Sequence, residues 1–235
     1  MLEVLQGAHQ FHEARKNLRR RGRSALEAAP LRLLRRLGLI PGLPVGEYNK
    51  SWDVNLTLDL IESRLSRTAR ILDLGAYWSE LTGALAKMGY TDVHGIDLNP
   101  SVGRMPFADK VQYAVGNFMR TPYDDSTFDA ITAISVIEHG YDPEALFTEV
   151  ARLLKPGGLF LASFDYWPQK IDTAGATFFD LSWLIFSVED YDLLCQAAAR
   201  RGLHPVGQIK TLASERAVHC AGHEYTFAWT ALQKR

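Results

Sequence analysis

The chain has 235 residues, 47% hydrophobic and 23% charged, with 26 basic against 27 acidic side chains and a formal charge of −1. That composition excludes a disordered chain, which is poor in apolar residues and lopsided in charge, and disfavours nucleic acid as a partner, since such domains carry a basic excess. No run of about 18 uncharged apolar residues offers a membrane span, the N-terminus lacks a secretory pattern, and Cys195 and Cys220 suit free thiols. The expectation is a cytoplasmic protein with one core.

The near-neutral total conceals an asymmetry. Residues 1–46 carry nine basic and three acidic side chains, and the rest carry 17 and 24. A basic, helical extension over 1–46 is therefore expected ahead of a body over 47–235, joined through Pro41–Gly42 and Pro44 to Gly46. Leu26, Leu33, Leu34 and Leu37 form an apolar stripe flanked by Arg32, Arg35 and Arg36. The first reading is a helix packed through its leucines, its arginines facing the acidic body. The second is contact with an anionic membrane surface or a protein partner.

In the body, helical and extended patterns alternate. A helix over 54–65 precedes a strand over 70–74 that ends at Gly75, and Ser79 can cap a helix over 80–88. Strands follow over 92–97, 111–115 and 128–135. Asp142–Pro143 opens a helix over 144–155, which Pro156-Gly157-Gly158 closes before a strand over 159–164. Ser187 and Asp190 read as a capping box for a helix reaching Arg201, with final strands near 204–209 and 225–232. This order predicts an α/β fold, a doubly wound, mostly parallel, seven-stranded Rossmann-like sheet.

Ligands of such sheets bind beyond the carboxyl ends of the strands, where strand order reverses. Asp73 and Gly75 lie at the first such end, Asp97 at the second, and Asn117 and Phe118 after the third. Gly75 would let a ligand approach the backbone. Asp97, 22 residues further on, suits ribose hydroxyls, and Asn117 can both donate and accept, as an adenine edge requires. The loop Gly75-Ala76-Tyr77-Trp78-Ser79 puts bulk where a dinucleotide site needs glycines, and no phosphate-binding P-loop occurs. This disfavours an NAD(P)-dependent oxidoreductase. An adenosine cofactor without phosphates fits, and S-adenosylmethionine is one.

Here the sequence resembles the class I S-adenosylmethionine-dependent methyltransferases, in their small-molecule branch. The matching stretches are Ile71–Gly75, Val93–Leu98, Pro122–Asp129, Ile134–His139 and Glu149–Gly158, in family order. The resemblance implies that Asp73, Gly75, Ala76 and Tyr77 surround the methionine part of the cofactor. It also implies that Asp97 and Leu98 hold the ribose side, Asn117 and Phe118 the adenine, and that Ser135 faces the sulfonium. The family's D-x-G-x-G-x-G pattern is broken after Gly75 by Tyr77 and Ser79.

His139, after the fourth body strand, is the candidate general base, because imidazole titrates near neutral pH. Tyr48, Trp52, Trp78, Tyr166 and Trp167 are candidate acceptor contacts from aromatic-rich segments flanking the cofactor edge. His219, Cys220 and His223 lack an evident fourth ligand, so no metal is expected. The expected function is methyl transfer to a small-molecule acceptor, a sugar or secondary metabolite, with oxygen favoured as the receiving atom. The alternative is a catalytically degenerate protein of the same fold that binds or scaffolds, docking through its basic N-terminus.

Overall fold

A computed structural model describes residues 1–40 and 42–235; Pro41, part of the expected join, lies outside the described residues. In chain order the elements are β1 (Leu2–Val4), α1 (His9–Arg20), α2 (Ala29–Arg36), α3 (Ser51–Arg64), β2 (Arg70–Leu74), α4 (Leu81–Lys87), β3 (Asp92–Asp97), β4 (Val111–Val115), β5 (Phe128–Ile134), α5 (Pro143–Leu153), β6 (Leu154–Tyr166), β7 (Thr177–Phe178), β8 (Leu181–Ser182), α6 (Val188–Ala199), β9 (Leu203–Pro205), β10 (Val218–Cys220) and β11 (His223–Lys234).

The main sheet runs β1-β11-β6-β5-β2-β3-β4, with β9 and β10 also paired to β11. The pairs β6·β5, β5·β2, β2·β3 and β3·β4 are parallel, and β11 is antiparallel to β6. Both faces are covered, which is why β2 and β5 read as nearly continuous apolar runs. Leu58 and Ile61 of α3 and Leu81 and Leu85 of α4 pack on one face with Ile71 and Ala130. Leu146 and Phe147 of α5 and Leu194 of α6 pack on the other with Leu72 and Ile131. Chain order reverses between β2 and β5, so the crevice expected of this topology opens at the ends of those two strands.

Local chemistry sets the helix starts. The Asp142 side chain accepts from Ala145 N at 3.0 Å with Pro143 in the first turn of α5. The Ser187–Asp190 capping box forms in both directions at the start of α6. Ser79 does not cap α4: that helix begins after Glu80, and Ser79 Oγ accepts from Leu81 N at 3.2 Å. Pro156-Gly157-Gly158 does not terminate α5 either. Leu154 already pairs with Phe128, and an irregularity in register between Phe128 and Ala130 absorbs the three residues into β6.

The N-terminal segment departs furthest from expectation. β1 is a strand of the body's own sheet, with Leu2 opposite Thr230 and Val4 opposite Ala228. α1, which the leucine stripe did not reveal, carries buried Phe11, Arg15 and Leu18 and packs on α3. α2 carries Leu33 and Leu34 of the stripe, with Leu37 just past its end, and buries none of its own residues; Leu31, Leu33 and Leu37 are exposed. The arginines do meet the body's acids, but mainly from α1 and the turn after it. Arg15 pairs with Glu80 at 2.7 Å, and Arg21 and Arg23 both pair with Asp59 and Glu62. No helix among the described residues is long and apolar enough to cross a membrane.

Candidate active site

A cleft of about 930 Å³ opens at the β2/β5 crevice, a size that accommodates a drug-sized ligand. Gly75, with φ +70°, turns the chain out of β2, and a Cβ there would drive into the Val136 side chain of the loop after β5. The loop then folds over Asp97. Tyr77 N donates to Asp97 Oδ2 at 2.9 Å, and Asn99 N donates to Oδ1 at 2.7 Å. Each carboxylate oxygen keeps acceptor capacity toward the cleft. Tyr77 and Trp78 stack on each other, ring centroids 5.1 Å apart, and Trp78 adopts φ +66° to do so.

Beneath this loop, Asp73 is buried. Thr132 Oγ1 donates to its Oδ1 at 2.6 Å, while Oδ2 has no partner. Burial lifts the Asp73 carboxyl to about 6.

Beyond Ser135 the cleft deepens and changes character. Lys50, in the turn entering α3, donates from Nζ to Ser135 Oγ and lies 3.7 Å from the centroid of the Phe227 ring. Three carboxyl groups surround it: Asp53 and Glu138, fully buried, and Asp165, nearly so. Ser163 Oγ donates to Asp53 Oδ2 at 2.8 Å, and Trp183 Nε1 donates to Asp165 Oδ2 at 2.8 Å. Burial raises all three acids, Asp53 to about 6 and Glu138 well above the usual carboxylate range, with the Lys50 ammonium opposing the rise. His139 stands at the mouth of this half. Burial, aided by Lys50, lowers its imidazole to about 4, so the ring is neutral near pH 7, and its Nδ1 has no partner.

The structure brings some of the expected residues together and disperses others. Gly75, Tyr77, Trp78, Asp97, Leu98, Phe118, Ser135 and His139 all line the cleft. Asp73 and Ala76 lie behind the wall, buried. Asn117 is exposed and not among the lining residues; its Oδ1 accepts from Met119 N at 2.8 Å, closing its own turn. Trp52 faces the core, and Tyr48 points outward to His12. Tyr166 is buried on the α5/α6 face, its hydroxyl donating to Thr211 O, and Trp167 packs against Arg216. Strand alternation explains the Tyr166 miss: of two neighbours at the end of β6, Asp165 faces the cleft and Tyr166 the opposite side. Because β11 is antiparallel, its start sits beside the end of β6, with Phe227 opposite Asp165. That pairing brings Tyr225 and Phe227 to the site, a signal no local motif carries. His219, Cys220 and His223 lie at the β10–β11 turn. No group of three or more His, Cys, Asp or Glu among the described residues is arranged to hold a metal ion.

Comparison with known proteins bears on this geometry. Residues 72–162, from β2 through most of β6, match a family model described as a methyltransferase domain. This stretch, which holds the crevice strands β2, β3 and β5, is thus similar to a methyltransferase domain. It is 31% identical over 140 residues to the ubiquinone biosynthesis O-methyltransferase of Xanthomonas oryzae pv. oryzae, covering 51% of this chain and 58% of that one. It is 32% identical over 99 residues to sterol 24-C-methyltransferase ERG6B of Gibberella zeae, covering 39% and 26%. The chain thus spans less than two thirds of the length of these curated relatives. The crystal structure of geranyl diphosphate C-methyltransferase from Streptomyces coelicolor A3(2), in complex with Mg2+, geranyl diphosphate and S-adenosyl-L-homocysteine, shares the fold. Its TM-score is 0.56 at 18% identity, over 81% of this chain and 84% of that one.

The residues of the cleft fit S-adenosylmethionine. The orphaned Asp73 Oδ2 and the close Gly75–Val136 approach mark the end where the methionine portion would rest. Asp97 would accept from the ribose hydroxyls, and Leu98 and Phe118, which line the cleft, would offer apolar surface to the adenine.

Proposed function

We propose that this chain transfers a methyl group from S-adenosylmethionine to an oxygen of a small-molecule acceptor held in the deeper half of the cleft. The observation that carries the reading is the continuity of one cleft from Asp97, through Gly75 and Ser135, to His139 and its aromatic walls. The cofactor, when bound, supplies a methyl group already activated on a sulfonium. What remains for the protein is alignment and exclusion of water. Phe178, Trp183, Tyr225 and Phe227 wall the deeper half. His139 presents a neutral imidazole to the same space and can accept a hydrogen bond from an acceptor hydroxyl. As an oxygen bonds to carbon its proton becomes strongly acidic, so even a base weakened by burial can take it up. One curated relative is named for methylation at oxygen, which supports the choice of atom.

Two measurements test the reading. Calorimetry should show S-adenosylhomocysteine binding to the wild type and at least a tenfold loss in Asp97→Ala. Methyl-labelled S-adenosylmethionine incubated with metabolite extracts should yield a labelled small-molecule ether. Failure of the wild type to bind S-adenosylhomocysteine would overturn the proposal.

A further inference from the structure

The deeper half of the cleft gathers more carboxyl groups than methyl transfer to a plain alcohol explains. Glu138 and Asp165 line it from the loop after β5 and the end of β6, at 1% and 5% exposure, and Asp53 of α3, at 0%, lies behind the wall. Two of the three have neutral hydrogen-bond donors, Ser163 Oγ and Trp183 Nε1. Glu138, which lines the cleft, has no partner for its buried Oε2. The nearby cation, Lys50, places its ammonium on Ser135 Oγ and on the face of Phe227.

An unpaired carboxyl group in such a place is costly to bury. A ligand that brings its own positive charge would offset that cost. The walls suit the same ligand, because aromatic faces attract cations through their quadrupoles. Phe227 already shows this with the chain's own ammonium at 3.7 Å, and Trp183 and Tyr225 stand next to it with ring centroids 5.7 Å apart. His139 and Ser135 lie at the mouth of the pocket, on the side toward Gly75.

We propose that the acceptor is a hydroxylated molecule with a cationic nitrogen, of the amino alcohol or amino sugar class, whose charged end seats against Glu138 and Asp165 between Trp183, Tyr225 and Phe227. The cationic end anchors the molecule, and the hydroxyl is left near His139. The inference rests on the proposed function and narrows its acceptor. The ionisable groups that act on Glu138 are Asp165, Lys50, Asp53 and Tyr225, with His139 next to it in sequence. Burial raises the Glu138 carboxyl and a seated cation lowers it, so seating the cation favours release of a proton from Glu138.

Choline and its uncharged isostere 3,3-dimethylbutan-1-ol separate charge from shape. Each is titrated calorimetrically into the full chain saturated with S-adenosylhomocysteine, in two buffers of different ionisation enthalpy. The expected result is choline binding at least tenfold tighter than the isostere, with proton release for choline only. Glu138→Gln should abolish the preference while leaving S-adenosylhomocysteine binding intact. Lys50→Met, which removes the competing ammonium, should tighten choline several-fold. Equal affinities, binding of neither probe, or a preference that survives Glu138→Gln overturns the inference and leaves the proposed function standing, provided S-adenosylhomocysteine binds. Should Glu138→Gln lose that binding through misfolding, Lys50→Met decides: no gain in choline affinity overturns the inference.

Discussion

At the scale of single residues, buried ionisable groups give the site a pH signature. Asp53 and Asp73 are both raised to about 6 by burial. An acid that holds its proton more tightly when folded lowers stability as pH rises from its unfolded value, about 4, to its folded one. His139 has the opposite sign. With its folded value near 4, its neutral ring favours the native state above the unfolded value of about 6.5 and loses that advantage as pH falls toward 4. The two effects oppose each other across one window, so the wild-type profile alone hides both. Asp53→Asn isolates the acid: its amide oxygen can still accept from Val54 N while its Nδ2 donates to Ser163 Oγ, which reverses that one bond, and no proton is lost. Its melting temperature relative to wild type should climb between about pH 4 and 6 and stay level above. A difference that is flat with pH would place Asp53 in an ordinary environment. The places of Gly75 and Asp97 in the cleft were legible, because both follow from position at strand ends. Glu138 and Asp165 were not, since the groups around them, Asp53 of α3, Trp183 after β8 and Tyr225 of β11, are distant in sequence.

At the scale of elements, α1 and α2 look alike in composition and differ in what they do. Arg15 crosses from α1 to the residue before α4, where Glu80 also accepts from Ser24 Oγ, Ala25 N and Leu26 N. Removing one member of a buried, multiply bonded pair leaves the other charge stranded, at about 3–5 kcal/mol. Arg15→Ala should therefore lower the melting temperature by roughly 10 °C, at about 2–4 °C per kcal/mol for a domain of this size. The exposed leucines of α2 predict the reverse. Leu33→Glu with Leu37→Glu removes no core contact, so the change should stay within about 0.5 kcal/mol per site and within roughly 4 °C. A large loss in that double variant would mean the helix packs against something. The contrast also shows where the sequence pattern misled. The leucine–arginine stripe of residues 26–37 has helical spacing without burial, whereas α1 announces itself only through Phe11, Ala14 and Leu18, three apolar positions among charges. The body strands β2 and β3 had the bounds their apolar runs suggested, because both faces are covered, and the edge strand β4 matched its expected bounds as well. The early start of β6 depended on a register irregularity opposite Phe128, which pairing creates and local pattern does not show.

At the scale of the whole molecule, the charge asymmetry between residues 1–46 and the rest is a folding device. Positive side chains near the start of the chain neutralise acids on α3 and beside α4, and β1 closes an edge of the sheet against β11. The consequence concerns deletion. Leu2, Val4, Leu5, Phe11 and Leu18 are all buried, and full burial of such side chains stabilises by about 1.5–3 kcal/mol each. Together with the Arg15–Glu80 pair they contribute on the order of 10 kcal/mol, comparable to the roughly 5–15 kcal/mol by which whole domains are stable. Deleting residues 1–27 also strands Glu80 without its guanidinium and bares the Trp229 side of β11. The truncated chain should lose its cooperative thermal transition and bind no S-adenosylhomocysteine, although none of the deleted residues lines the cleft. Replacing residues 29–40 with a flexible glycine–serine linker of equal length should instead preserve the transition, because that stretch buries no side chain of α2. Differential scanning calorimetry of the two variants, side by side, is the measurement. A truncated chain that still melts cooperatively and binds cofactor would show that α3, α4 and the sheet hold the fold without the lead, and that its buried arginines are an addition to a body already complete.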